Sequence, residues 1–446
     1  MPSAFLIGAP HSGAGKTTVT LGIMAALKKR GLAVRGFKVG PDYIDPSHHA
    51  RLLGFPSQNL DTWMLSPEAN RRIFASSLAG ADVGVVEGVM GLYDGVDGVR
   101  PDGSSADLAR QLDLPVVLVV DARSMARSAA ALVLGFARFE PALRLAGVIW
   151  NRVGSASHRR ILDEALAAAA LPASLGAVPR EASLSLPERH LGLVTPEDAG
   201  LEEGFFDSLA GMAEEHLDLE ALLRLTAVPA PAAPAPPARS RPKSRIAVPR
   251  DAAFCFYYDE NLRTLEALGA ELVPFRPVEG DGVPPAVDAL YLGGGYPEVH
   301  AERLAGNEAF LAGVRALHAE GKPLYGECGG FMVLCRALED LEGRSYPMAG
   351  IFPAEAKMNG RAFRLGYREI RAEGHRLLAG TVARGHEFHY SHITEMPPDI
   401  PRVYEVRNAR GEDLPREGYA QGSALGSYVH LHFASNPEFP RRLFGL

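Results

Sequence analysis

Gly8-Ala9-Pro10-His11-Ser12-Gly13-Ala14-Gly15-Lys16-Thr17-Thr18 follows directly on the apolar run Ala4-Phe5-Leu6-Ile7 and leads into an amphipathic stretch ending near Arg30. An apolar strand, a glycine-rich turn, Lys-Thr and a helix, in that order, read as a phosphate-binding loop. Only small side chains let backbone N–H groups close around a polyphosphate, and the helix N-terminus adds partial positive charge. Lys16 then reaches the terminal phosphates, and the Thr17 hydroxyl offers a ligand to Mg²⁺. Gly13, Gly15, Lys16, Thr17 and Thr18 are therefore the nucleotide-contact candidates. The loop is a variant of G-x-x-x-x-G-K-[ST], because Pro10 stands at the first glycine position.

Outward from the loop, short apolar runs alternate with helical patterns. Val34–Val39, Val83–Val86, Pro115–Val120 and Leu145–Trp150 read as buried strands. Ser66–Leu78, Ser104–Leu112 and Ala126–Phe139 read as the helices between them. This alternation predicts a doubly wound, mostly parallel α/β sheet with ligands beyond the carboxyl ends of its strands. After the second strand comes Lys38-Val39-Gly40-Pro41-Asp42-Tyr43-Ile44-Asp45-Pro46-Ser47-His48-His49, and after the third Glu87-Gly88-Val89-Met90-Gly91-Leu92-Tyr93-Asp94-Gly95. Asp42, Asp45, Glu87 and Lys38 thus leave strand ends close to the loop. Carboxylates there can hold Mg²⁺, with Thr17, Glu87 and Asp42 as its candidate ligands, and a lysine can neutralise charge during phosphoryl transfer. The fifth strand ends at Asn151, a position that often touches the nucleotide base in phosphate-loop folds. Glu188–Leu193 is a polar, glycine-containing stretch that is a weaker candidate lining.

Residues 228–244 read VPAPAAPAPPARSRPKS, a Pro/Ala run that packs as neither helix nor strand. It separates an expected domain 1–227 from a second, 245–446. The chain of 446 residues suits two or three domains, and its net charge of −7 argues against a nucleic-acid or anionic-membrane surface as main partner. Three cysteines give no disulfide framework. No apolar run is long enough to span a bilayer and no basic region precedes Phe5, so a cytoplasmic location is expected.

In the second half, Ala289–Leu292 precedes Gly293-Gly294-Gly295-Tyr296-Pro297-Glu298, and Leu324-Tyr325 precedes Gly326-Glu327-Cys328-Gly329-Gly330. Gly-x-Cys-x-Gly between strand and helix is a nucleophile elbow with cysteine in place of serine. Its glycines permit the sharp turn, the helix start favours a thiolate, and the triplet Gly293–Gly295 can supply oxyanion N–H groups to the substrate. The base candidate is His430 in Gly426-Ser427-Tyr428-Val429-His430-Leu431-His432-Phe433, with His432 a competitor and His386 and His389 weaker ones. Met348–Pro353 and Arg364–Ile370 read as intervening strands.

These motifs resemble a known family. Gly-x-Cys-x-Gly-Gly, Gly-Gly-Gly-Tyr-Pro-Glu and Ser-Tyr-Val-His-Leu-His-Phe resemble a class I-type glutamine amidotransferase domain of the cobyric acid synthase and cobyrinate a,c-diamide synthase subgroup. The first half is similar to the dethiobiotin-synthetase-type phosphate-loop fold. Residues 38–49, Val86–Gly95 and Arg189–Leu193 resemble the a,c-diamide synthases in particular. The resemblance implies that ATP and Mg²⁺ phosphorylate the a- and c-acetate carboxylates of cobyrinic or hydrogenobyrinic acid, a corrinoid of cobalamin biosynthesis. Ammonia released from glutamine at Cys328 then passes internally to displace the phosphate. Lys38 resembles the catalytic lysine of that fold and Glu87 its metal-binding glutamate. Asp42, Tyr43, Ile44 and Asp45 fall in the corrinoid-carboxylate segment, and Asn151 resembles the base contact. Class I amidotransferases usually carry His-x-Glu, whereas this chain has His430-Leu431-His432.

Two other readings compete. A nickel-sirohydrochlorin a,c-diamide synthase or another glutamine-dependent amide ligase shares the same motifs. A partitioning-type ATPase would carry a lysine where His11 stands, and it leaves the Cys328 half without a purpose.

Overall fold

Strand β1 (Ser3–Gly8) is buried along its whole length and pairs in parallel on both sides, which its continuous apolar run requires. The structure, a computed structural model, describes residues 1–180, 204–230, 243–360, 364–375 and 377–446, together with the backbone of 188–189 and 192–193. Contacts divide the chain into two units, Met1–Ala235 and Pro236–Leu446. Most of the Pro/Ala stretch, and the side chains of Glu188–Leu193, lie outside the described residues.

The first unit continues with β2 (Val34–Val39), β3 (Gln58–Leu60), β4 (Val83–Glu87), β5 (Val116–Asp121), β6 (Leu145–Val153) and β7 (Ser174–Pro179). They form a parallel sheet ordered β3-β2-β4-β1-β5-β6-β7. The helices are α1 (Lys16–Lys29), α2 (Ile44–Leu53), α3 (Pro67–Leu78), α4 (Ser105–Gln111), α5 (Ser128–Phe139), α6 (Ala156–Ala168), α7 (Phe205–His216) and α8 (Leu219–Leu225). Helix α1 packs its apolar face on the sheet through Leu21 and Met24, and Leu209 and Met212 of α7 join the same core. Because β1 sits between β4 and β5, its carboxyl end delivers the loop into the middle of the sheet's upper edge.

The sequence reading missed β3, β7 and α2. Strand β3 is three residues long with polar side chains, so no apolar run announces it. Residues 42–49 read as a strand-end loop, but α2 begins at Ile44. Its start is capped by Asp42, whose Oδ1 accepts from the N–H groups of Ile44 (2.8 Å) and Asp45 (3.2 Å). Pro46 is tolerated because it lies in the first turn, where its missing N–H has no helical partner. With β3 inserted, Glu87 ends the fourth strand and Asn151 lies in the sixth.

A short antiparallel pair, β8 (Glu188–Arg189) and β9 (Gly192–Leu193), completes this unit's strands among the described residues. The second unit opens with β10 (Ser244–Pro249), β11 (Ala270–Phe275), β12 (Ala289–Leu292) and β13 (Leu324–Glu327). Strands β14 (Cys335–Glu339), β15 (Ser345–Pro347) and β16 (Phe352–Met358) follow, then β17 (Arg364–Ala372), β18 (Val382–His389), β19 (Ser391–Ile393), β20 (Arg402–Asn408), β21 (Asp413–Gln421), β22 (Ala424–Ser427) and β23 (Val429–Leu431). The main sheet runs β11-β10-β12-β13-β22-β21-β20-β17-β18-β23, and β15-β14-β16-β19 form a smaller one. The expected strand over Met348–Pro353 is displaced: Gly350 takes a left-handed turn (φ 70°) and the strand begins at Phe352. Strand Arg364–Ile370 is present and runs on to Ala372.

The antiparallel register of β18 on β23 sets His386 opposite His430. It depends on Gly385, where a Cβ would stand 1.9 Å from the His430 carbonyl oxygen. Gly385→Ala is therefore expected to cost about 1–3 kcal/mol by forcing the strands apart. A lowered denaturant midpoint for the second unit's unfolding checks this, and an unchanged midpoint refutes it.

Candidate active sites

In the first unit the parallel register pairs Lys38 with Glu87 and Glu87 with Ile7, so the tips of β1, β2 and β4 meet at one point. Glu87 is wholly buried. Its Oε1 accepts from the Thr17 hydroxyl (2.6 Å) and from Lys38 Nζ (3.2 Å), and its Oε2 lies 2.8 Å from His49 Nε2. Lys38 Nζ also donates to Asp45 Oδ2 (2.5 Å) and the Gly88 carbonyl (3.1 Å), with Asp42 Oδ2 at 3.8 Å. Lys16 Nζ donates to the Met90 carbonyl (2.5 Å). The fold thus brings Lys16, Thr17, Lys38, Asp42, Asp45 and Glu87 together, as the sequence suggested. Tyr43 and Ile44 stand half-buried beside them, and Thr18 lies in the first turn of α1.

Loop geometry depends on two glycines in left-handed conformation, Gly13 (φ 78°) and Gly15 (φ 95°). A Cβ on Gly15 would fall 2.1 Å from Asn151 Nδ2, so glycine is required there twice over. Asn151 donates this amide to the Ala14 carbonyl (2.9 Å), and its Oδ1 accepts from Arg152 N–H (2.9 Å). Its side chain braces the loop backbone in this structure.

Electrostatically the cluster holds more carboxylate than ammonium. Burial opposes a charged Lys38, but Asp45, Glu87 and Asp42 outweigh it and hold the ammonium above its usual range. Burial likewise opposes ionised Glu87, yet Lys38, His49 and Thr17 hold its carboxyl well below the ordinary value. Asp45 moves the other way: burial and the Glu87 charge push it up against the pull of Lys38. Burial, then the Lys38 charge, lowers Lys16 to about 8. Among the described residues no three His, Cys, Asp or Glu side chains form a closed metal cage. Thr17 and Glu87 together nevertheless fit Mg²⁺, which takes one or two protein oxygens and completes its shell with phosphate and water. Asp42 caps α2 through Oδ1 and keeps Oδ2, 3.8 Å from Lys38 Nζ, as a further oxygen beside them. His49, which fixes the Glu87 carboxylate, was not singled out from sequence; its neighbour Asp45 on the same helix turn was the available signal.

In the second unit Cys328 leaves β13 at φ 49°, ψ −105°, a strained backbone typical of a nucleophile elbow. The strain is tolerated because the helix Gly329–Leu334 presses directly on β12: a Cβ on Gly330 would lie 2.2 Å from the Leu292 carbonyl oxygen. Burial pushes the Cys328 thiol up, helped by the Glu298 charge and opposed by the Gly329 N–H. The glycine triplet stands against this turn. A Cβ on Gly329 would be 3.1 Å from Gly295 N, and one on Gly294 would be 2.5 Å from His430 Cε1. The oxyanion expectation narrows to Gly295, because Gly293 N–H donates to the Tyr257 hydroxyl (2.9 Å) and Gly294 N–H to the Phe256 carbonyl (3.3 Å).

Four histidines gather near the elbow, and their partners separate them. His389 has both ring nitrogens on acceptors, the Ser391 carbonyl and Glu387 Oε1, each at 2.7 Å. His386 shares a 2.8 Å hydrogen bond with Tyr258, and the ring of His432 lies 4.6 Å from that of Tyr258. His430 is the one beside the glycine triplet, its ring stacked on His386 at 4.9 Å. Burial, reinforced by His389, lowers His430 to about 3, so it stands as a neutral imidazole able to accept a proton. Sequence reasoning passed over Glu327, whose Oε2 lies 4.0 Å from His430 Nδ1.

Residues 5–194 match the model of the CobQ/CobB/MinD/ParA nucleotide binding domain, and residues 245–438 that of the CobB/CobQ-like glutamine amidotransferase domain. Among curated relatives, a cobyrinate a,c-diamide synthase of Syntrophotalea carbinolica is 46% identical over 98% of this chain and 96% of its own length. One of Listeria monocytogenes is 43% identical over 99% and 98%. A hydrogenobyrinate a,c-diamide synthase of Mesorhizobium japonicum is 43% identical over 96% and 98%.

The Thr17–Glu87 pair generates a direct test. Glu87→Gln removes the charge but keeps the shape, and is expected to raise the Mg²⁺ concentration for half-maximal ATP turnover at least about tenfold. An unchanged Mg²⁺ titration moves the metal role to Asp42 or Asp45.

Proposed function

This chain belongs to the cobyrinate and hydrogenobyrinate a,c-diamide synthase family, and we propose that it amidates the a- and c-acetate carboxylates of cobyrinic or hydrogenobyrinic acid, using ATP and glutamine, in cobalamin biosynthesis. One observation carries the reading: a Lys38–Glu87–Thr17 cluster at a phosphate loop and a Cys328 elbow that shares the Gly293–Gly295 triplet with His430 occur in the same polypeptide. The first activates a carboxylate, the second frees ammonia, and an amide ligase that draws on glutamine needs both.

In the first unit a substrate carboxylate oxygen attacks the γ-phosphorus of ATP, and the bond to the ADP oxygen breaks. The product is an acyl phosphate. Lys16 and Lys38 offset the negative charge gathered there, since phosphoryl transfer is mostly positioning and charge stabilisation. Mg²⁺ held by Thr17 and Glu87 would add charge neutralisation on the phosphate oxygens. In the second unit the Cys328 sulfur attacks the carboxamide carbon of glutamine as its proton passes to the His430 imidazole. The proton then moves to the departing nitrogen, ammonia leaves, and water hydrolyses the thioester to glutamate. Gly295 N–H would supply a donor to the oxyanion. Ammonia attacks the acyl phosphate carbon, phosphate leaves, and a carboxamide remains. The sequence occurs once at each of the two carboxylates.

Mass spectrometry of products formed with ATP, Mg²⁺ and glutamine tests the substrate directly. Two carboxyl-to-amide conversions are expected on cobyrinic or hydrogenobyrinic acid. Conversion of nickel-sirohydrochlorin instead, or glutamine hydrolysis with neither corrinoid amidated, overturns the substrate assignment. Cys328→Ala is expected to abolish glutamine-supported amidation while ammonia-supported amidation stays within about twofold. Loss of both activities in the folded variant refutes the division of labour.

A further inference from the structure

Glu327 stands immediately before the nucleophile, 1% exposed, in the second unit's main sheet. Its Oε1 accepts from the Tyr325 hydroxyl (2.9 Å) and from the Leu431 N–H (3.0 Å), and its Oε2 from the Tyr291 hydroxyl (2.9 Å). Three donors on a buried carboxylate fix its position to a fraction of an ångström, and one of them belongs to the residue after His430. Oε2 then lies 4.0 Å from His430 Nδ1.

We infer that Glu327 is the positioning residue for His430, completing a Cys328–His430–Glu327 constellation in which the carboxylate comes from the nucleophile's own strand. The inference rests on the glutaminase reading of Cys328. Two residues after His430, where class I amidotransferases carry a carboxylate, this chain has His432, whose ring packs on Tyr258. Of the other nearby acids, Glu387 pulls on His430 through its charge, but its oxygens, like those of Glu417, are hydrogen-bonded to other groups. Glu387 holds His389 through Oε1 and Arg368 through Oε2, both at 2.7 Å. Glu417 accepts from the Ser427 hydroxyl (2.5 Å) and from the Tyr428 (2.7 Å) and Gly418 (2.5 Å) N–H groups.

When His430 takes the Cys328 proton it becomes an imidazolium in a site from which water is excluded. A carboxylate at Nδ1 stabilises that charge and holds the ring with its other nitrogen toward sulfur. A separation of 4.0 Å is longer than a hydrogen bond, but such contacts commonly tighten only in the substrate complex. The titratable groups that feel Glu327 are the Tyr291 and Tyr325 hydroxyls, Tyr257 and Tyr404, with His430 at 4.0 Å and Cys328 adjacent in sequence. Burial raises the pKa of Tyr291 and Tyr325, so they remain donors. Burial also brings Glu327 itself up to about 7, against the pull of its donors. Glutamine hydrolysis should therefore show an acid limb with a midpoint near 7, gaining rate as pH rises and Glu327 ionises.

Glu327→Gln keeps shape and hydrogen-bond acceptance while removing the charge. Expected are a kcat for glutamine hydrolysis at least about tenfold lower, a KM for glutamine within about twofold, unchanged ammonia-supported amidation, and loss of the acid limb. A kcat within about twofold of the parent with the limb intact overturns the assignment. Should this variant lose ammonia-supported amidation as well, Tyr291→Phe decides. Removing a donor from Oε2 should move the acid limb to higher pH, and an unmoved limb overturns the inference. Glutamine hydrolysis that survives Cys328→Ala would instead sink the glutaminase reading itself, so the two failures are distinguishable.

Discussion

The carboxylate of Glu87 is the constraint on which the first unit's chemistry depends. It has no exposure, yet Thr17, Lys38 and His49 all converge on its two oxygens and favour its ionised form. Those partners come from α1, β2 and α2, so one side chain ties the phosphate-loop helix to two further elements. Burying a carboxylate costs several kcal/mol unless it is paired and hydrogen-bonded, and here the pairing is complete. The remaining imbalance is informative. Asp42, Asp45 and Glu87 stand against Lys38 and Lys16 at the end of the phosphate loop. Carboxylates beside a phosphate loop are the arrangement that suits a cation and a polyphosphate bound together.

The second unit solves the opposite problem. Burial favours the Cys328 thiol and the neutral His430 imidazole, which suits charge that separates only when sulfur attacks. The elbow's strain at Cys328 and the close approach of Gly294 to His430 place these groups without any resting ion pair between them. A neutral resting site protects the thiol from idle reaction, at the cost of requiring something to stabilise the imidazolium once it forms.

What could be read from sequence follows from how locally each feature is determined. The loop, Lys38, Glu87 and the Cys328 elbow were legible because strand, turn and helix succeed one another within a dozen residues. The parallel α/β sheet was legible because its central strands are buried on both faces and therefore continuously apolar. Helix α2 was not, because Asp-Pro within its first turn imitates a loop and its cap is the same Asp42 that reads as a ligand. Strand β3 was hidden by Gln58 and Asn59, polar residues whose burial is decided by neighbours far along the chain. The oxyanion donors could not be apportioned among three glycines, since the Tyr257 hydroxyl that engages Gly293 approaches from another segment.

The choice among histidines is the sharpest case of tertiary determination. On a regular strand His430 and His432 would share a face, which made His432 a competitor to His430. The chain ends that competition by ending β23 at Leu431, so His432 turns into the next segment and meets Tyr258. The same pleat governs Glu327. Tyr325 and Glu327 share a face of β13, and their hydroxyl–carboxylate bond runs along it. The next residue on a regular strand would point to the opposite face, away from anything Glu327 touches. Cys328 escapes this because its backbone leaves the strand at φ 49°, lifting the thiol to the sheet's edge while Glu327 remains inside it. Nucleophile and carboxylate, adjacent in sequence, are thus sent in different directions by the backbone strain at the elbow.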